Sequence, residues 1–180
     1  MLIARSSPEC RLYMDLHVCS CGESRFEAQH VLRESHEGAL QAVYEGACRR
    51  CEAPRRFTFT LDDALPPPPP AFGGQQPSSI VCPGEFLLVA AEAASSAPAD
   101  PAGPSDRQRG TTRDALARAI AAVEEVLKFI PEGADAVPEA AVTSSAGAAL
   151  YSHDAGRFSR ARLEAVLTAY SESLAAYEPA

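Results

Sequence analysis

The chain has no long apolar run: nothing in its 180 residues approaches the roughly 18–20 consecutive apolar residues that a bilayer span requires. The opening MLIARSSPEC has no extended apolar segment behind a basic start, so a secretory leader is not expected and a cytoplasmic protein is. Positive charge is also in short supply. Sixteen Lys and Arg stand against 24 Asp and Glu, a net charge of -8, whereas a non-specific nucleic-acid binder needs a cationic footprint to neutralise phosphates. A local basic patch stays open as a route to nucleic acid. The motifs of several enzyme classes are missing as well. There is no Gly-rich phosphate loop, no G-x-S-x-G elbow and no H-E-x-x-H, and His17, His30, His36 and His153 form no close-spaced pair. The chain therefore reads as a non-enzyme.

What is present suits a folded protein. Hydrophobic residues make up 46% and charged residues 22%, enough for a small metal-stapled module plus a helical one. Residues 5–16 read as a short helix whose Leu12, Tyr13 and Leu16 cover one face of a small sheet. Residues 25–34 and 39–46 mix alternation with β-branched and aromatic residues and read as two strands joined by a turn over residues 35–38. Residues 56–61 (RFTFTL) alternate cleanly and form the third strand. The five prolines 66–70 force an extended path and serve as a spacer or dock in an aromatic groove.

From Pro83 the segment PGEFLLVAAEAA reads as a helix with proline in its first turn and Glu85 near its positive end. Residues 95–110 have the composition of a flexible linker. The next helix is the strongest, capped at Thr111 or Thr112, with Leu116, Ile120, Val123, Leu127 and Ile130 as its core stripe. A short helix is expected over 139–151. A last one follows, with Leu163, Val166, Leu167, Tyr170, Leu174 and Tyr177 on one face.

The six cysteines carry the chemistry. In a reducing compartment they favour thiols and thiolate ligands over disulfides. Cys19-x-Cys21 and Cys48-x2-Cys51 are two thiol turns separated by 26 residues, room for a hairpin, and zinc is bound tetrahedrally by two such pairs. The first pair is one residue shorter than the usual knuckle, which leaves His17 open as a substitute ligand. Free thiols are the alternative to a metal site. Four sulfur ligands leave no position for water, so a zinc ion here is structural. A thioredoxin-like role for Cys48 and Cys51 fits less well, because the pair precedes a strand rather than opening a helix. Cys10 and Cys82 read as buried small apolar residues.

Arg49, Arg50, Arg55 and Arg56 flank the second thiol turn and either grip phosphate or an acidic protein surface or form a solvated face. Among the acids, Glu124, Glu125, Asp135 and Glu139 are candidates to complement a basic partner.

Together LHVCSCGE, YEGACRRCEAPRRFTFTL, PPPPPAFGG with PSSIVCPGEFL, EEVLKFIPEGADAVP and GRFSRARLEAVLTAY resemble a family of small zinc-ribbon proteins from GC-rich bacteria. Fifteen Arg to one Lys, Lys128, and abundant Ala agree with such a source. Val18 and Ser20 depart from the proline-bearing first knuckle usual in that family. The family is associated with polymorphic toxin loci, and the resemblance implies an immunity-type inhibitor that binds a cognate toxin. A zinc-ribbon regulator that binds nucleic acid is the alternative. The expected architecture is α+β: a zinc ribbon with a three-stranded antiparallel sheet over residues 1–65, a Pro/Gly-rich connector over 66–82, and a small helical bundle over 83–180.

Overall fold

The computed structural model describes residues 1–35, 38–98 and 105–177. His36, assigned to a turn from the sequence, and residues 99–104 of the expected linker lie outside these. The fold is α+β and divides into two units. One comprises Met1–Pro67 with Phe72–Gly74 and Ser78–Val81; the other contains Pro68–Ala71, Gln75–Pro77 and the chain from Cys82 onward. No helix among the described residues is long and apolar enough to cross a membrane.

In the first unit β1 (Leu2–Ala4) leads into α1 (Ser7–Leu16), followed by β2 (Phe26–Glu34), β3 (Leu40–Cys48) and β4 (Pro54–Leu61). The sheet order is β1-β4-β3-β2. β2, β3 and β4 are antiparallel neighbours, as the alternation of these segments predicts, with Tyr44 opposite both His30 and Phe57. The expected three-stranded antiparallel sheet is nevertheless incomplete. β1 adds a fourth strand, parallel to β4, pairing Leu2 with Phe59 and Ala4 with Leu61. Three residues are too few to show a period of two, and their partner lies far along the chain, so no local signal announces the pairing.

α1 packs on one face of this sheet. Cys10 and Met14 meet Ala4, Ala42, Tyr44 and Phe59 in the core, and Tyr13 sets its ring edge-on to Phe59 at 5.5 Å between centroids. Ser6 caps the helix, its hydroxyl accepting the Glu9 N–H at 3.1 Å. Glu9 is fully buried and its carboxylate accepts the Arg5 backbone N–H at 2.6 Å and the Arg5 Nε–H at 2.9 Å. A carboxylate can be buried in this way only because its lone pairs are met. Gly73 lies against the same guanidinium, where a Cβ would come within 2.5 Å of Arg5 Cζ.

The second unit is helical: α2 (Pro83–Ser95), α3 (Asp106–Leu127), α4 (Ser145–His153) and α5 (Arg160–Ala175). α3 begins five residues before the expected cap. Ser105, not Thr111 or Thr112, is the N-cap, and Gln108 Oε1 accepts its backbone N–H at 2.9 Å, a reciprocal Ser-x-x-Gln cap. Thr112 is buried inside the helix. Of the expected stripe, Leu116, Val123 and Ile130 are buried, while Ile120 and Leu127 are half-buried; Ala119, Ala122 and Val126 complete the inner face. Residues 139–151 are split between a 3-10 turn at Glu139–Ala141 and α4. α2 and α4 cross at two glycines so closely that a Cβ on Gly84 would sit 2.4 Å from Gly147 Cα.

Candidate metal centre

The first thiol turn lies between α1 and β2, the second between β3 and β4, so the β2–β3 hairpin carries one to the other. Each turn is closed by the same pair of backbone bonds. In the first, the Cys19 N–H donates to Glu23 O at 2.9 Å and the Gly22 N–H to Cys19 O at 2.7 Å. In the second, the Cys48 N–H donates to Ala53 O at 2.9 Å and the Glu52 N–H to Cys48 O at 2.9 Å. The second ring holds one more residue, and that is the whole difference between C-x-C and C-x2-C here. In both turns the residue after the second cysteine is left-handed, Gly22 at φ 85° and Glu52 at φ 59°. Glycine adopts that conformation freely; glutamate is strained in it.

These turns converge. The Sγ atoms of Cys19, Cys21, Cys48 and Cys51 all lie within 4.8 Å of one another. Cys19 Sγ is 3.6 Å from Cys51 Sγ and Cys21 Sγ is 3.5 Å from Cys48 Sγ. Zinc–sulfur bonds of about 2.3 Å in a tetrahedron place the sulfurs about 3.8 Å apart, close to these separations. The same distances are far too long for S–S bonds, which are about 2.05 Å, and all six cysteines are free. The four sulfurs thus fit a single metal ion. Cys19 and Cys48 are buried, Cys21 is half-buried and Cys51 is exposed.

The electrostatics agree with the donor set. The Cys21 backbone N–H, then the Cys51 thiol, pull Cys19 down from the usual 9.0 to about 6. The backbone N–H groups of Cys51 and Arg50 lower Cys48. Cys51 receives the Ala53 N–H, which lowers it, yet its hydrogen bonds to Cys21, Cys19 and Cys48 push it up to about 12. Backbone N–H groups thus favour thiolates at Cys19 and Cys48, while the crowding of sulfurs disfavours one at Cys51. A divalent cation at the centre would offset that repulsion between sulfurs.

His17 is not part of this group. Its Nδ1 is 2.8 Å from Tyr13 O, its ring stacks on Tyr13 at 3.8 Å between centroids, and the side chain is exposed. The structure places the four arginines apart. Arg55 is only 8% exposed. Its guanidinium donates to Ser24 O at 2.7 Å and to His17 O, and lies over the Phe26 and Phe57 rings at 4.7 and 5.0 Å. Residues 17 and 24 bracket the first thiol turn, so Arg55 clasps the loop that carries Cys19 and Cys21. Arg50 ties the turns together by donating to Cys21 O at 3.1 Å. Arg49 and Arg56 form exposed ion pairs with Glu27 at 2.6 Å and Glu45 at 2.9 Å.

The acidic candidates divide likewise. Glu124, Asp135 and Glu139 are exposed, whereas Glu125 is buried in α3 and ion-paired to Lys128 at 2.6 Å. Glu139 borders a surface hollow of about 550 Å³ that Tyr151 and Val142 also line. Cys10 and Cys82 are buried outside the cluster. Burial, and then the Glu9 charge, push the Cys10 thiol up to about 12, and Cys82 Sγ is 3.1 Å from Ser144 Oγ. Sequence reasoning missed the clasping role of Arg55. Its position two residues before Phe57, on the Phe26 side of the sheet, was the available signal.

No protein-family model, curated protein or solved structure was found to match the chain.

Proposed function

We propose that the first unit is a zinc ribbon holding one structural Zn2+ on Cys19, Cys21, Cys48 and Cys51, and that the chain is a non-enzymatic binding protein. The observation that carries this reading is the convergence of four sulfurs within 4.8 Å of one another. Zinc is favoured among divalent ions by four thiolates at tetrahedral spacing. With every position taken by sulfur, the ion activates no water, and its work is to hold the two turns in register.

For the partner, we propose a basic toxin domain, which makes the chain an immunity-type inhibitor. A net charge of -8 and the exposed Glu124, Asp135 and Glu139 support this, because complementary charge speeds encounter and selects partners. The competing reading, a regulator that grips nucleic-acid phosphates through Arg49, Arg50, Arg55 and Arg56, is weakened by the engagement of all four within the unit. Co-expression of the full chain with the product of the neighbouring gene tests the two. Recovery of a salt-sensitive complex that neutralises that product supports inhibition. No complex and no protection would contradict it, and retention on DNA or RNA, lost on Arg→Glu changes, would favour the regulator.

A further inference from the structure

The two edges of the sheet are unlike. β1 is three residues long, and its Ile3 carbonyl accepts the Ser79 hydroxyl at 3.1 Å. β2 is nine residues long, and from Glu27 to Glu34 every residue is exposed. Long exposed edges are usually blunted by charged side chains, proline or a bulge. β2 has no Pro, its charges Glu27, Arg33 and Glu34 stand near its two ends, and its register with β3 runs unbroken from Phe26↔Cys48 to Glu34↔Leu40. Val31 and Leu32, both more than half exposed, add apolar surface to the edge.

Two bonds just beyond the strand ends, Arg49 N–H to Arg25 O and Ser35 N–H to Ala39 O, continue the same antiparallel register. Odd-numbered residues of β2 therefore bond to β3, and Phe26, Ala28, His30, Leu32 and Glu34 turn their N–H and C=O groups to the outer edge, where no strand pairs among the described residues. An antiparallel partner strand must offer its own outward groups at matching positions. β2 itself does so when two copies meet about a two-fold axis at His30, the register that overlaps all nine residues. Ala28 then faces Leu32 of the second copy, and both are outward-facing residues. Glu27, ion-paired to Arg49 in its own chain, faces Arg33 of the second copy, whose Nε–H donates to Gln41 of its own chain at 3.2 Å, twice over, in non-hydrogen-bonded pairs where side chains are closest. Shifting the axis to residue 29 or 31 loses this charge match.

We propose that β2 is a dimerisation edge: two copies of the chain pair β2 to β2, antiparallel and centred on His30, joining their sheets into one of eight strands. The occupant is a second copy because the strand's charges and donor parity are self-complementary, as an isologous contact requires. Nothing in this depends on what else the chain binds.

Light scattering on the full zinc-loaded chain tests it. A mass twice the monomer's 19.0 kDa is expected, with slow amide exchange at Ala28, His30 and Leu32. Ala28→Pro removes an outward donor that β3 does not use, and Arg33→Glu sets like charges opposite each other; each is expected to give monomer with unchanged zinc content and fast exchange at those amides. Glu27→Arg combined with Arg33→Glu restores the dimer, and this pair of variants decides the question even if the proline variant does not fold. A monomeric wild-type chain at every concentration overturns the proposal. So does a dimer indifferent to Arg33→Glu, or protection of these amides only when a different protein is added.

Discussion

Replacing Cys48 by serine removes one of the four sulfurs that converge between the two turns. Cys48 ends β3, is 1% exposed, and lies 3.5 Å from Cys21 Sγ. A serine oxygen is a poor zinc ligand on a shorter bond, so it would not replace the sulfur in the proposed zinc site. Structural zinc contributes about 10–16 kcal/mol of apparent folding free energy at neutral pH, so an even share for each of four ligands is about 2.5–4 kcal/mol. A unit of this size has a net stability of about 4–11 kcal/mol. Losing one ligand of a bound zinc thus takes roughly a quarter or more of it, and stripping the ion takes nearly all of it. Urea unfolding followed by circular dichroism, with and without a strong chelator, measures both. The expected result is a clear fall in midpoint for Cys48→Ser, a larger fall for the chelated wild type, and a further fall to that same level when the variant is chelated. Cys82→Ala, outside the cluster, serves as the control. Equal midpoints for Cys48→Ser and wild type, together with indifference to chelator, would refute the reasoning.

Other perturbations follow from the same geometry. Arg55→Lys keeps the charge but cannot serve the His17 and Ser24 carbonyls together while stacking on Phe26 and Phe57, so the first unit should lose about 1–3 kcal/mol in urea unfolding. Gly84→Ala drives a methyl into Gly147 backbone at 2.4 Å and should cost the helical unit about 1–3 kcal/mol, read as a lower melting temperature. For Cys10 the folded state holds the neutral thiol, with its pKa raised from 9.0 to about 12. That contribution is fully present below pH 9 and is lost as pH rises toward 12, because the unfolded chain ionises first. Stability of the wild type should therefore fall more steeply over this alkaline range than that of Cys10→Ala, measured at matched zinc content.

The legible parts of this fold are those with a local signal. RFTFTL and its two antiparallel neighbours alternate visibly, and the two thiol pairs stand out because no other cysteines are so closely spaced. β1 was hidden, since a three-residue strand in parallel pairing owes its existence to β4 and not to its own pattern. The start of α3 was misplaced because the polar run SDRQRG lacks an apolar stripe, although Ser105 and Gln108 spell its cap. Arg55 was grouped with three exposed arginines because composition cannot tell which member of a basic cluster turns inward. Its cross-strand aromatic neighbours decide that. Glu125 reads as surface acid beside Glu124 for the same reason, yet one step around a helix separates solvent from core.

Cobalt substitution tests the central claim most directly. Given Co2+, the reduced chain should take up one equivalent and show intense visible d–d bands with a strong thiolate-to-metal band in the near ultraviolet, the signature of four sulfurs in a tetrahedron. A weak, octahedral spectrum, or no cobalt retained by the reduced protein, would contradict a closed four-thiolate site.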